Sequence, residues 1–230
     1  QAFVLLGWAK GFQQDYLDAE ADISTALEMD PNNALGHAAY AYILALRVAD
    51  DVADLDTLDT AIEESKLALR LSPNLMEAHW ARGYVLEITA NYEEAVEELV
   101  AAIEQNDNIA ELHLALGRNY MAIEESDQAV FEFTKAYSLD PTNPEPNWYI
   151  SRVYGQIGEY AKAIQYAEQA VKDDPTNPYM YGNLGTLYYR DLQYNAAIET
   201  LFFAVRGGVT ENGDVVEGLP LDYTTTIMEY

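Results

Sequence analysis

Two ladders of alanine constrain this chain more than any other feature. Ala19, Ala61, Ala95, Ala129, Ala163 and Ala197 recur at steps of 42, 34, 34, 34 and 34 residues, and Ala26, Ala68, Ala102, Ala136, Ala170 and Ala204 keep step with them. A fixed period with a small residue returning at two places means that one packing unit has been stacked repeatedly. The 230 residues therefore read as one quasi-one-dimensional array rather than as a set of independent cores.

Charge narrows the partners. Twelve Lys and Arg stand against 39 Asp and Glu, a net charge of −27, which repels phosphate backbones and anionic membranes and argues against nucleic acid. No apolar run approaches the roughly 18 residues that span a bilayer, so no membrane insertion is expected. Cysteine is absent, which excludes thiol catalysis, disulfides and thiolate metal sites here. A lysine-poor, cysteine-free acidic surface tilts localisation slightly toward an extracytoplasmic setting. The opening QAFVLLGWAKGF has no signal-peptide pattern and reads as starting inside a repeat, as a fragment does.

Placing the first ladder alanine at position 20 of a 34-residue unit gives six units: 1–33, 34–75, 76–109, 110–143, 144–177 and 178–211. Each splits into two amphipathic halves with apolar residues at i, i+3, i+4 and i+7. In the fourth, AELHLALGRNYMAI carries Leu116, Gly117 and Tyr120 at positions 7, 8 and 11. SDQAVFEFTKAYSLDP then carries Ala129, Phe133, Ala136 and Pro141 at 20, 24, 27 and 32. Small residues at 8, 20 and 27 let helix axes approach closely, and proline at 32 ends the second helix. These marks resemble the tetratricopeptide repeat over residues 1–211. Gly7, Ala41, Gly83, Gly117, Ser151 and Gly185 stand at position 8, and Pro31, Pro73, Pro141 and Pro175 at position 32. Asp107 and Val209 replace the proline, and Arg82 takes the place of a leucine at position 7. The resemblance implies an all-α solenoid of antiparallel helix pairs stacked in a right-handed superhelix. It also implies peptide or protein binding in a groove lined by the first helix of each pair, without enzymatic activity.

The second unit is eight residues longer, around ADDVADLDTLD. Its aspartates, Asp50, Asp51, Asp54, Asp56 and Asp59, lack the glycine and closing glutamate of a calcium loop. An extra turn on each helix and a link capped by Asp56 or Thr57 is expected instead. Residues 212–230 read as a linker, with turn chemistry at Asn212 and Gly213, a stop at Pro220 and the start of a further first helix from 223.

Motifs for chemistry are missing. His37, His79 and His113 all stand at position 4, but stacked repeats hold equivalent positions about 10 Å apart, too far for one metal. Neither a metal, a cofactor nor a catalytic constellation is expected.

The groove face, positions 2, 5, 9, 12 and 13 of each first helix, is more informative. It takes all three tryptophans, Trp8, Trp80 and Trp148, together with Phe12, Tyr42, Tyr84, Tyr179 and Tyr189. Large aromatics away from the helix-pair seam are the usual material of contact hot spots. Arg118, Arg152 and Arg190 share that face and suit carboxylates of a protein or extended peptide. Glu77, Glu111 and Glu145 at position 2 offer internal pairing as the other reading. Asn183 is the one asparagine at position 6, and the lysine and asparagine pattern by which tetratricopeptide co-chaperones clamp a carboxylate terminus is not met. The candidate groove residues are thus Trp8, Tyr42, Trp80, Tyr84, Arg118, Trp148, Arg152, Asn183, Tyr189 and Arg190. An assembly segment that self-associates through exposed solenoid ends, or a regulatory arm of a larger enzyme, stands as the alternative.

Overall fold

The ladder alanines are where the helices touch. None of the twelve is more than 6% exposed. The computed structural model describes Val4, Gly7, Lys10 and residues 15–50 and 55–219. The chain divides into two compact units, Gln1–Glu124 and Glu125–Tyr230, described separately below.

In the first unit the helices are α1 (Tyr16–Met29), α2 (Ala34–Ala49), α3 (Leu55–Leu71), α4 (Met76–Ile88), α5 (Tyr92–Ile103) and α6 (Ala110–Ala122). In the second they are α7 (Ser126–Leu139), α8 (Glu145–Gln156), α9 (Tyr160–Asp173), α10 (Pro178–Arg190) and α11 (Tyr194–Arg206), followed by strands β1 (Gly207–Val209) and β2 (Val215–Glu217). Consecutive helices pack as neighbours, α2 on α3, α4 on α5, α8 on α9 and α10 on α11, and successive pairs stack within each unit. This is an all-α solenoid of helix pairs.

Close approach at position 8 explains the small residues there. A Cβ on Gly83 would lie 2.7 Å from Leu99 Cγ, and one on Gly185 would lie 2.6 Å from Leu201 Cγ. The leucine or phenylalanine at position 24 fills that space: Leu99 and Phe133 are fully buried. Where position 24 is Ser65, its partner at position 7 is Arg82, whose guanidinium donates to Ser65 Oγ at 3.4 Å. A position ordinarily apolar is thus taken by a paired structural residue.

The links inside pairs share one device. Residues Thr89–Asn91, Ile157–Glu159 and Asp191–Gln193 join α4 to α5, α8 to α9 and α10 to α11, and their middle residues Ala90, Gly158 and Leu192 have φ of 58°, 81° and 62°. Asn91 N–H reaches back to Leu86 O, Glu159 to Tyr154 O and Gln193 to Tyr188 O, each at 2.9 Å. A left-handed residue with a bond spanning five residues is the Schellman arrangement, which satisfies carbonyls that a helix end leaves unpaired. Links between pairs use side chains instead. Asp140 Oδ1 accepts from the amide and hydroxyl of Thr142, and Asp174 Oδ1 does the same with Thr176. These hydrogen bonds, the Thr142 hydroxyl first, hold the Asp140 carboxyl below its ordinary value.

The insertion lengthens helices as expected: α2 and α3 run to 16 and 17 residues, against 13 and 12 for α4 and α5. Asp56 and Thr57 are not its cap, because α3 starts at Leu55 and takes Asp56 into its first turn, where a carboxylate suits the positive end of the helix dipole. Asp51 and Asp54 lie outside the described residues.

Residues 207–217 form a hairpin where the sequence showed only a turn. Gly207 pairs with Glu217, Gly208 with Val216 and Val209 with Val215. Its loop closes through Thr210 N–H to Asp214 O and Gly213 N–H to Thr210 O, both 2.9 Å, with Gly213 at φ 92°. Leu219 N–H then donates to Ala204 O at 2.9 Å and covers one of the last carbonyls of α11. Pro220 and the helix expected from residue 223 lie outside the described residues.

Candidate binding face on the first helices of the pairs

In the first unit the groove-face residues are largely turned to one another. Tyr42 and Trp80, expected to stand open, are each 6% exposed. Their ring centroids are 5.6 Å apart, and Tyr84 approaches Tyr42 at 5.0 Å. Burial pushes the Tyr42 phenol well above its ordinary value. Arg118 meets Glu87 through two hydrogen bonds, Nε to Oε1 at 2.7 Å and Nη2 to Oε2 at 3.0 Å. Internal pairing is therefore the outcome for Arg118, with a different carboxylate from those at position 2. Glu87 stands at position 12 of the third unit, itself a groove-face position, so the pair was open to discovery in the sequence. Trp8 and Phe12 lie outside the described residues.

The second unit keeps its face more open. Trp148 on α8 is half-buried, and the guanidinium of Arg152, one turn on, sits 4.7 Å from its ring centroid. That distance is a cation–π contact, which holds the guanidinium against the indole face. Tyr149 meets Trp148 edge-on at 4.7 Å, and itself stacks on Phe133 at 5.0 Å. The Trp148 indole N–H is shielded from solvent and has no acceptor among the described residues. From α10, Asn183 Nδ2 donates to Ser151 Oγ at 2.7 Å, and Ser151 in turn donates to Trp148 O at 2.6 Å. The asparagine is thereby oriented, with its carbonyl oxygen and second N–H left over. Tyr189 and Arg190 are exposed at the end of α10, where Tyr189 packs edge-on against Tyr194 at 5.9 Å. Among the described residues neither Arg152 nor Arg190 has a carboxylate partner.

The histidines at position 4 hold turns together. His79 Nδ1 lies 2.6 Å from Glu98 Oε2 and Nε2 lies 2.9 Å from Pro73 O. His37 repeats this with Glu64 and with Pro31 O at 3.0 Å, and His113 Nε2 reaches Asp107 O at 3.0 Å. Tyr181 serves the same turn by donating to Pro175 O at 3.1 Å. A nitrogen that faces a carbonyl has to be a donor, so these rings bind backbone. Among the described residues no three His, Asp or Glu side chains gather where a metal could be held, and no helix is long and apolar enough to cross a membrane.

Comparison with known proteins follows the helix pairs. A family model described as tetratricopeptide repeat matches residues 114–178 and 150–202, and a second of the same description matches residues 1–33. No curated protein matches the chain. Among solved structures, PilW, described as a widely conserved type IV pilus biogenesis factor, is similar with a TM-score of 0.73 at 20% identity, over 86% of this chain and 89% of that one. The pilF protein of Pseudomonas aeruginosa is similar with a TM-score of 0.67 at 22% identity, over 86% of this chain and 87% of that one. YrrB, described as a TPR protein with an unusual peptide-binding site, gives 0.59 at 20% identity, over 79% and 90%. At these identities the likeness is one of fold.

Proposed function

The chain belongs to the tetratricopeptide repeat family, and on that premise we propose that it is a non-catalytic scaffold that binds an extended, acidic peptide segment on the first-helix face of its second unit. The observation that carries the reading is the Trp148–Arg152 stack, a guanidinium with no carboxylate partner among the described residues in a chain of net charge −27. Such a chain has carboxylates in excess to neutralise its cations, so an arginine held over an indole away from them is placed for an outside anion. Arg190 adds a second cation, and Asn183, fixed by Ser151, offers the acceptor and donor pair that a peptide amide needs. Tyr42, Trp80 and Arg118 stabilise the first unit rather than meet ligand in this reading. The lysine-poor acidic surface supports an extracytoplasmic setting.

The test is fluorescence anisotropy of labelled peptides, each acidic sequence paired with its Glu→Gln counterpart. The acidic member should bind more tightly than its Glu→Gln counterpart. Trp148→Ala with Arg152→Ala should weaken it by about tenfold or more, which is ~1.4 kcal/mol. Equal binding of the paired peptides, or a double variant that binds normally, would end the reading.

A further inference from the structure

Helices α9 and α11 occupy equivalent places in successive repeats and share a stripe at i, i+4 and i+8 that differs only at its third position: Tyr160, Ile164 and Glu168 on one, Tyr194, Ile198 and Phe202 on the other. Their surroundings differ. On α9 the stripe is covered by α10, so that Ile164 is 7% exposed and packs with Leu184 and Leu187, while Tyr188 donates to Glu168 Oε1 at 2.8 Å. On α11, Tyr194, Ile198 and Phe202 are 52%, 65% and 55% exposed. Three large apolar side chains in line on one helix are the pattern of an interaction surface rather than of scattered exposure.

We infer that this stripe of α11 docks an amphipathic helix of a partner protein, which takes on α11 the place that α10 takes on α9. The α9–α10 interface states what such a helix must present: leucines three residues apart, as Leu184 and Leu187 are. The change from Glu168 to Phe202 removes the acceptor that Tyr188 uses, so the partner presents an apolar side chain there rather than a hydroxyl. Arg206 lies 4.2 Å over the Phe202 ring and marks one end of the stripe. Exposed Glu199 beside it and the net charge of −27 favour basic flanks on the partner. This surface is separate from the Trp148–Arg152 face, and neither reading depends on the other.

The probe is a synthetic peptide of residues 177–191 carrying Tyr188→Phe, with two lysines added at each end and a lactam bridge on its outer side, since so short a helix is marginal alone. The chain has no cysteine, so Asn195→Cys, at an exposed position of α11, in the full 230-residue protein accepts one environment-sensitive fluorophore beside the stripe. We expect saturable binding, weaker by about tenfold or more with Ile198→Asp and likewise with Phe202→Ser, both checked for native circular dichroism. The unsubstituted Tyr188 peptide should bind less tightly, and Trp148→Ala with Arg152→Ala should change nothing. No saturable binding, or binding indifferent to Ile198→Asp and Phe202→Ser, overturns the proposal. So does sedimentation showing Ile198-dependent dimers, which makes a second copy the occupant. Binding that appears only after removal of residues 220–230 overturns it too, because the chain's own tail then fills the site.

Discussion

Arg118 and Glu87 face each other as a two-pronged pair, with both carboxylate oxygens engaged at 2.7 and 3.0 Å and both side chains about one-fifth exposed. The fork of a guanidinium matches a carboxylate in a way an ammonium does not, so Arg118→Lys keeps the charge and loses the geometry. Removal of either partner strands the other in a half-buried place. Glu87→Ala and Arg118→Ala are each expected to lower stability by about 1–3 kcal/mol. The double variant should cost less than the sum of the two. Urea denaturation of the four proteins reads the coupling directly, and strict additivity would show that the pair contributes nothing of its own.

The left-handed residues of the pair-internal links give a second prediction. An L-residue in that conformation costs about 1–2 kcal/mol relative to glycine, and glycine gives back roughly 0.5–1 kcal/mol through the freer unfolded chain. Leu192 has φ 62° and is 69% exposed, so Leu192→Gly removes strain and forfeits little packing. It should stabilise by about 0.5–1 kcal/mol. Gly158→Ala tests the converse: nothing lies within 4 Å of a Cβ there, so any loss comes from φ 81° alone. Urea midpoints moving in the same direction for both variants would refute this account.

What the sequence disclosed, and what it withheld, follows the range of the forces involved. Alanines and glycines at fixed period report helix contacts, because a small residue is required wherever two axes come close, and so the repeat and its register were legible. The Schellman links were not, since one of the three, Gly158, is a glycine, while Ala90 and Leu192 adopt the same φ under tertiary constraint. The groove face was legible as a register but not as a surface. Position 9 falls on the same face of each first helix, yet Tyr42 is closed over by Trp80 and Tyr84 while Arg152 rests on Trp148. The closure of Tyr42 depends on neighbours from the next repeat, which no single window contains, whereas Trp148 and Arg152 stand four apart on one helix. The hairpin was hidden for a related reason: Val215–Glu217 is too short to show a strand period, and its docking rests on two glycines whose meaning appears only in three dimensions.

Alkaline pH should weaken the fold through its tyrosines. Burial first, and the hydrogen bond to Glu168 second, push the Tyr188 phenol up to about 12. An unfolded tyrosine releases its proton near pH ~10. A raised folded value means that the stabilisation is complete below about pH 10 and is lost as pH climbs from there toward 12. Tyr16, raised by burial and by its bond to Asp50, and Tyr42, raised by burial, act in the same direction. Denaturation midpoints should therefore be flat near neutrality and fall above about pH 10. Tyr188→Phe should make that fall shallower. An identical alkaline slope in the variant would show that Tyr188 does not carry it.

The hairpin after α11 depends on backbone packed against backbone. Gly207 has φ 68° and ψ −172°, a region that side chains with a Cβ scarcely enter. A Cβ there would also lie 2.3 Å from Val216 O, and one on Gly218 would lie 2.3 Å from Val205 O. Neither neighbour can rotate away, because both are main-chain atoms of paired or helical residues. Gly207→Ala should therefore release the hairpin rather than distort it, undoing the Leu219 N–H bond to Ala204 O and exposing Val216 and Leu219, now 3% and 5% exposed. The helices keep their own contacts, so the loss is local, and the global denaturation midpoint should move by no more than about 1 kcal/mol equivalent. Amide hydrogen exchange separates the outcomes: protection at Thr210, Gly213 and Leu219 should collapse, while that at Leu187 and Ala197 persists. Gly213→Asn is the control, since its φ of 92° has open space around it and asparagine tolerates left-handed backbone. Retained protection of Leu219 in Gly207→Ala would show that the hairpin is held by its side chains and not by this close approach.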